Sequence, residues 1–138
     1  MEKIKTLWFD DRRIYIRTDA GNKYSRPLEA FPELKDADAE QRNSFVIGPD
    51  GDDIRWEALD ADLHVSSFFE TKEPNYHNEV AELFARFPWL NYKEVAKAMN
   101  VHPSLIAKYI YGMVEPSPQR MSQIRSSLHS FGYELLSA

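Results

Sequence analysis

At Glu73-Pro74-Asn75 the hydrophobic period of this chain changes from that of strands to that of helices. The charge changes at the same place. Residues 1–74 hold 11 basic and 17 acidic side chains and residues 75–138 hold 6 and 5, so the two parts carry −6 and +1. A change of period and of charge at one proline reads as two units in series. The expected domains are 1–72, a small α+β unit, and 76–138, an all-helical one, with a short linker between Thr71 and Tyr76.

Composition narrows what those units can do. A chain of 138 residues hides roughly two-thirds of its unfolded surface on folding. Its 18 aromatic residues supply large side chains for an interior, which excludes intrinsic disorder for most of its length. There is no cysteine, so disulfides, thiolate catalysis and cysteine-bound zinc or iron–sulfur centres are excluded. No apolar run approaches the roughly 20 residues that cross a bilayer. Met1-Glu2-Lys3-Ile4-Lys5 does not begin a signal peptide, so a cytoplasmic location without a membrane partner is expected. A net charge of −5 argues against indiscriminate binding to nucleic acid, which depends on neutralising phosphates.

In the first part, Ile4, Leu7, Trp8 and Phe9 precede Asp10-Asp11, and Ile14-Tyr15-Ile16 follows, flanked by Arg12, Arg13 and Arg17. This is the pattern of a hairpin. Gly21-Asn22 is a second turn, Lys23 to Arg26 a short third strand, and Leu28, Phe31 and Leu34 have helical spacing. Phe45-Val46-Ile47 and Ile54-Arg55-Trp56 flank a Pro-Asp-Gly turn, which makes a second hairpin. Interleaved arginines and Tyr15 have the composition of a nucleic-acid grip. Alternation of strand faces explains them more simply as an exposed edge strand guarded by arginine. Through Ile54-Arg55-Trp56, Asp62-Leu63 and Phe68-Phe69, residues 1 to about 70 resemble a small bacterial α+β family of unknown function with an N-terminal β-meander. That family is similar to proteins encoded beside small toxin-like partners, so the resemblance implies an antitoxin or partner-binding role.

In the second part, Val80, Leu83, Phe84 and Phe87 recur as one apolar stripe of a helix that Pro88 stops. Asn91 and Glu94 have the N-cap and N3 spacing of a second helix with Val95, Ala96 and Met99 on its inner face. Asn100 suits a left-handed turn, and Pro103 suits the first position of a third helix that Gly112 ends. Ser117-Pro118 opens a fourth helix, with Met121, Ile124 and Leu128 inward and Gly132 as its stop. Tyr133-Glu134-Leu135-Leu136 is apolar enough to pair as a strand or to dock on the helices.

Two short helices joined by a three to four residue turn make a helix-turn-helix arrangement. The stretch from Val95 to Gly112 resembles the phage-repressor (Xre-type) family, which implies a lambda-repressor-like fold for residues 76 to 132. Carried across, the resemblance places Asn91, Tyr92 and Lys93 against a DNA phosphate and Pro103, Ser104 and Lys108 against base edges. His102 stands at the cap position where that family commonly has serine or threonine, and its charge can change near neutral pH.

Other constellations carry less. Asp60, Asp62 and His64 alternate, as a metal-binding strand or a solvated turn would. Asp50, Asp52 and Asp53 surround Gly51 but lack the twelve-residue loop and terminal glutamate of an EF-hand. The four histidines, 13, 25 and 27 positions apart, match no zinc spacing. No phosphate loop, nucleophile elbow or framed acid–base pair is present, so no enzyme, metal or cofactor is expected. The expectation is an α+β chain with an N-terminal antiparallel β-meander and helix and a C-terminal lambda-repressor-like domain. It would act as a homodimeric, sequence-specific regulator on double-stranded DNA, of the autoregulating antitoxin type with a protein partner such as a toxin. The alternative is a protein-interaction adaptor on a repressor-like scaffold without DNA binding.

Overall fold

Ile4–Phe9 (β1) and Arg13–Thr18 (β2) pair antiparallel around Asp10, whose carboxylate accepts the backbone N–H groups of Arg12 and Arg13 at 2.8 Å each. An aspartate at this position closes a turn because its side chain replaces a backbone acceptor. These contacts come from a computed structural model that describes residues 1–138 and divides them into two units, Met1–Glu73 and Pro74–Ala138. Lys23–Pro27 (β3) returns along the other side of β2 through a turn at Gly21, where φ is +83°. The sheet order is therefore β1-β2-β3. This corrects the reading of the Arg12, Arg13 and Arg17 stretch as an edge: β2 is the middle strand and both its sides are paired.

Leu28 to Leu34 does not form one helix. A single 3-10 turn, Leu28–Ala30, is followed by Pro32–Lys35 (α1). Pro32 drives Phe31 out of the helical region, to φ −133° and ψ 79°, and starts a new helix at its own first position. Ala39–Asn43 (α2), absent from the sequence reading, is held by a capping box between Asp38 and Gln41.

Val46–Ile47 (β4), Asp53–Trp56 (β5) and Ala61–His64 (β6) form a second antiparallel sheet in the order β4-β5-β6. Its hairpin turns at Gly51, with φ +71°. Both sheets bury their inner faces in one cluster built on Ile14, Ile16, Leu34, Ile54, Trp56, Val65 and Phe68. Asp62 to His64 is thus a strand rather than a solvated turn. Asp60 and Asp62 serve the Arg55 guanidinium, at 2.8 and 2.6 Å, together with Glu57 at 3.0 Å. The His64 ring turns back to accept the Ser66 N–H at 3.1 Å, so these three residues do not converge on a metal.

The second unit contains Glu79–Arg86 (α3), Tyr92–Met99 (α4), Pro103–Tyr111 (α5) and Pro118–Leu136 (α6). Val80, Ala96, Ile106, Tyr109, Met121 and Ile124 make its core. Asn78, Asn91, His102 and Ser117 cap the four helices. Gly132 does not end α6, which runs on to Leu136. Glycine costs about 1 kcal/mol inside a helix, and the good helix formers Glu134, Leu135 and Leu136 continue it. Tyr133, Leu135 and Leu136 are exposed in that last turn and form no strand. No helix is long and apolar enough to cross a membrane.

Two predictions follow from these placements. Gly112 has φ +72°, and a Cβ there would lie 2.0 Å from the Asn75 carbonyl oxygen, whereas a Cβ on Gly132 meets nothing within 4 Å. Gly112→Ala should therefore lower stability by about 1–2 kcal/mol or more, and Gly132→Ala should raise it by about 0.5–1 kcal/mol, read as opposite shifts of the urea midpoint.

The second concerns acid. Hydrogen bonds from Thr18, Tyr24 and Asn22 hold Glu2 below the ordinary 4.5, and bonds from Tyr15 and the Arg12 and Arg13 N–H groups hold Asp10 below 3.8. Lys3, at 2.6 Å, holds Asp52 below 3.8 as well. A carboxylate with a depressed folded-state pKa stabilises the fold above its unfolded value and loses that contribution as pH falls through the folded one. The urea midpoint should hold down to about pH 5 and then decline with acid, and Glu2→Gln should flatten the decline.

Candidate nucleic-acid interface

The local chemistry of α4, the turn and α5 is set by two left-handed residues and two polar caps. Asn91 caps α4, its Oδ1 accepting the Lys93 N–H at 2.9 Å. The expected reciprocal box with Glu94 does not form, because the cap bond goes to the second helical residue rather than the third. Asn100, at φ 57° and ψ 44°, ends the helix. The Val101 N–H donates to the Ala96 carbonyl at 3.0 Å and the Asn100 N–H to that of Lys97 at 3.1 Å. That double closure is a Schellman motif, and it satisfies carbonyls that a helix end otherwise leaves bare.

The chain re-enters helix two residues later. His102 caps α5 through Nδ1, which accepts the Ser104 N–H at 3.1 Å and lies 2.7 Å from the Ser104 hydroxyl. A backbone N–H only donates, so Nδ1 carries no proton and the ring's own hydrogen is on Nε2. Pro103 occupies the first helical position. At the far end Gly112 repeats the Schellman closure, with the Met113 N–H on the Lys108 carbonyl at 2.9 Å and the Gly112 N–H on that of Tyr109 at 3.2 Å.

These constraints leave α5 with two faces. Ile106, Ala107 and Tyr109 are buried, and Ala96 on α4 is fully buried where the helices meet. Ser104, Lys108 and Tyr111, each half-buried, fall at i, i+4 and i+7 on the side away from Ile106 and Tyr109, and the Tyr111 ring meets that of Tyr76 edge-on at 5.9 Å. Of the residues singled out in the sequence, the structure joins Asn91 to Lys93 and His102 to Ser104 by hydrogen bonds. Lys93 also lies 6.0 Å from the Tyr92 ring centroid. Pro103 supplies backbone geometry and no donor. Ser104 is partly committed to the cap, which leaves Lys108 as the strongest donor on the outward face of α5. Lys93, Lys97 and Lys108 against Glu94 give the two helices a modest positive balance.

Arrangements elsewhere escaped the sequence reading. Trp8 and Tyr15 stack on the outer face of the first sheet, with their rings 7° from parallel and 5.5 Å apart. Arg26 is buried, which lowers its proton affinity, and donates to the Lys72 carbonyl at 2.9 Å. In the helical unit an apolar groove of about 450 Å³ runs between Leu83, Phe87, Trp89, Leu90, Leu128 and Leu135. Each depends on pairing between distant residues and had no local signal beyond the aromatic residues themselves.

Comparison with known proteins bears on the first unit. The family described as "Protein of unknown function (DUF2442)" matches residues 4–73. The chain belongs to that family. The DUF2442 match starts with β1 and ends at Glu73, where the first unit ends, so it covers both sheets. The helical unit takes no support from it. No curated protein and no solved structure matches the chain.

The cap on α5 can be tested directly. His102→Ala should cost about 0.5–2 kcal/mol, while His102→Ser, which restores an oxygen acceptor, should retain most of the stability. Thermal melts of the three proteins at one pH read both differences.

Proposed function

We propose that this DUF2442 chain is a sequence-specific DNA-binding regulator that acts as a homodimer, with α4 and α5 as its helix-turn-helix. The observation that carries this reading is the outward stripe of α5, Ser104 and Lys108, presented between two Schellman closures and a capped N-terminus. In a lambda-repressor-like arrangement α5 enters the major groove, and the N-terminus of α4, with its positive dipole end and the charge of Lys93, takes a phosphate. Lysine donates to guanine O6 and N7, and a serine hydroxyl serves several bases. One helix with so few donors supplies little affinity, which favours two copies on two half-sites one helical turn apart. The first unit then serves dimerisation or a protein partner. An autoregulating antitoxin-type repressor in the cytoplasm fits that division, and it needs neither cofactor nor catalytic group.

One observation favours a second reading, a protein-interaction adaptor. The apolar groove beside α6 is lined by Trp89, 65% exposed, and Leu135, 58% exposed. Apolar surface of that kind, rimmed by polar residues, marks contact with other macromolecules.

Fluorescence anisotropy separates the two. Duplex DNA from the chain's own upstream region should bind more tightly than scrambled duplex at both about 50 and about 200 mM salt, with a shallow salt slope. Lys108→Ala should cost about 1–3 kcal/mol on the upstream duplex alone, and Lys93→Ala should weaken both duplexes alike and reduce the salt slope by about one. Absence of duplex binding at either salt leaves the adaptor reading.

A further inference from the structure

The first sheet has an outer face whose charge is opposite to that of its surroundings. Because β2 is the middle strand, its residues divide by alternation: Ile14, Ile16 and Thr18 are buried, and Arg13, Tyr15 and Arg17 lie on the other side. The strand register extends that side into two rows, Thr6, Arg17 and Lys23 in one and Trp8, Tyr15 and Ser25 in the next. The three strands carry no acidic residue; Arg13, Arg17 and Lys23 lie on this side, whereas Arg26 is buried beside Ile14 on the other. Residues 1–73 as a whole hold 17 acidic against 11 basic side chains.

The rows are chemically distinct. Trp8 and Tyr15 make the parallel pair, and the Lys23 ammonium sits 5.2 Å from the Tyr15 centroid and 6.0 Å from that of Trp8. Arg17 and Lys23 are exposed, and neither pairs with a carboxylate; Arg17 reaches only the Gly21 carbonyl, at 3.4 Å. Of the carboxylates around the sheet, Glu73 is engaged by Arg13 at 2.6 and 3.2 Å, Asp10 by the Tyr15 hydroxyl, and Glu2 by Thr18, Asn22 and Tyr24.

We propose that this face binds single-stranded nucleic acid, with bases stacking on the Trp8–Tyr15 pair and phosphates held by Arg17 and Lys23. Aromatic rings interleaved with cations serve this ligand because every base has a π-face and every nucleotide a negative charge. A duplex buries its base faces and cannot use the ring pair, and an acidic peptide can use the cations but not the rings. This surface lies on a different unit from α4 and α5, so it does not depend on the helix-turn-helix reading.

The test uses the full chain and labelled single strands of about 12 nucleotides, oligo-U and oligo-dT, beside a duplex of equal length and an oligo-glutamate peptide, at about 50 and 200 mM salt. Both single strands should bind, more tightly than the duplex, and the peptide should not compete. Arg17→Glu with Lys23→Glu should weaken single-strand binding by about tenfold or more, with an unchanged melting curve. Lys93→Glu with Lys108→Glu should leave it intact. Trp8→Ala should weaken it, Trp8→Phe should retain more, and Tyr15→Phe, which keeps the ring, should bind as wild type. The proposal fails if neither single strand binds or if the Arg17 and Lys23 pair changes nothing. It fails equally if binding disappears with Lys93 and Lys108, or if duplex or peptide binds this face as well as a single strand does. Loss of duplex binding through Lys93 and Lys108 alone bears on the helical unit and not on this face.

Discussion

Trp56 on β5 is the side chain through which the two three-stranded sheets of the first unit become one body. It is 1% exposed, its ring meets Phe9 of the first sheet edge-on at 6.5 Å and Phe45 at 6.2 Å, and its indole N–H donates to the Arg42 carbonyl at 2.9 Å. A buried tryptophan contributes the largest apolar area of any residue and leaves one polar atom that needs a partner. The end of α2 provides that partner. The same contact therefore closes the apolar core, satisfies the indole and ties the short α2 segment to β5. A three-stranded sheet needs its apolar face covered, and here the inner face of each sheet covers that of the other.

The helical unit rests on a different device. Three of its four helices have eight or nine residues and little stability apart from packing. Asn100 and Gly112 end their helices in the left-handed region while satisfying the carbonyls they leave behind, and only three residues separate α4 from α5. That economy lets α4 and α5 meet over Ala96, Ile106 and Tyr109 without a long loop. It also holds the outward residues of α5 on a rigid support. Gly112 has a second role, since the backbone of Asn75 passes where any side chain would stand.

Charge is distributed by location rather than by composition. In the first sheet Asp10 and Glu2 accept hydrogen bonds at a turn and beside a strand end, while the three strands themselves carry only cations. Arg55 gathers Glu57, Asp60 and Asp62 on the second sheet and compensates three carboxylates at once, which pushes its own proton affinity up. A net charge of −5 therefore conceals a positive sheet face and a mildly positive helical unit.

Much of this was legible in the residues, and the division between legible and hidden follows the range of the interactions. Caps and closures such as Asn91, Asn100, Pro103, Gly112 and Ser117 act within four residues of themselves, so their chemistry names the helix ends wherever the chain goes. The two hairpins were legible for the same reason, through Asp10 and the Pro-Asp-Gly turn. Gly132 misled because glycine marks a helix end only when the next residues cannot continue the helix, and Glu134, Leu135 and Leu136 can. The sequence by itself determined the number of units, their class and their local turns. Tertiary structure alone decided that β2 lies in the middle, that Arg26 is buried, that Arg55 takes Asp60 and Asp62, and that Trp8, Tyr15 and Lys23 share one face. Strand order and cross-strand register depend on which distant segments pair, and that choice is made by burial of a shared core rather than by any residue's own preference.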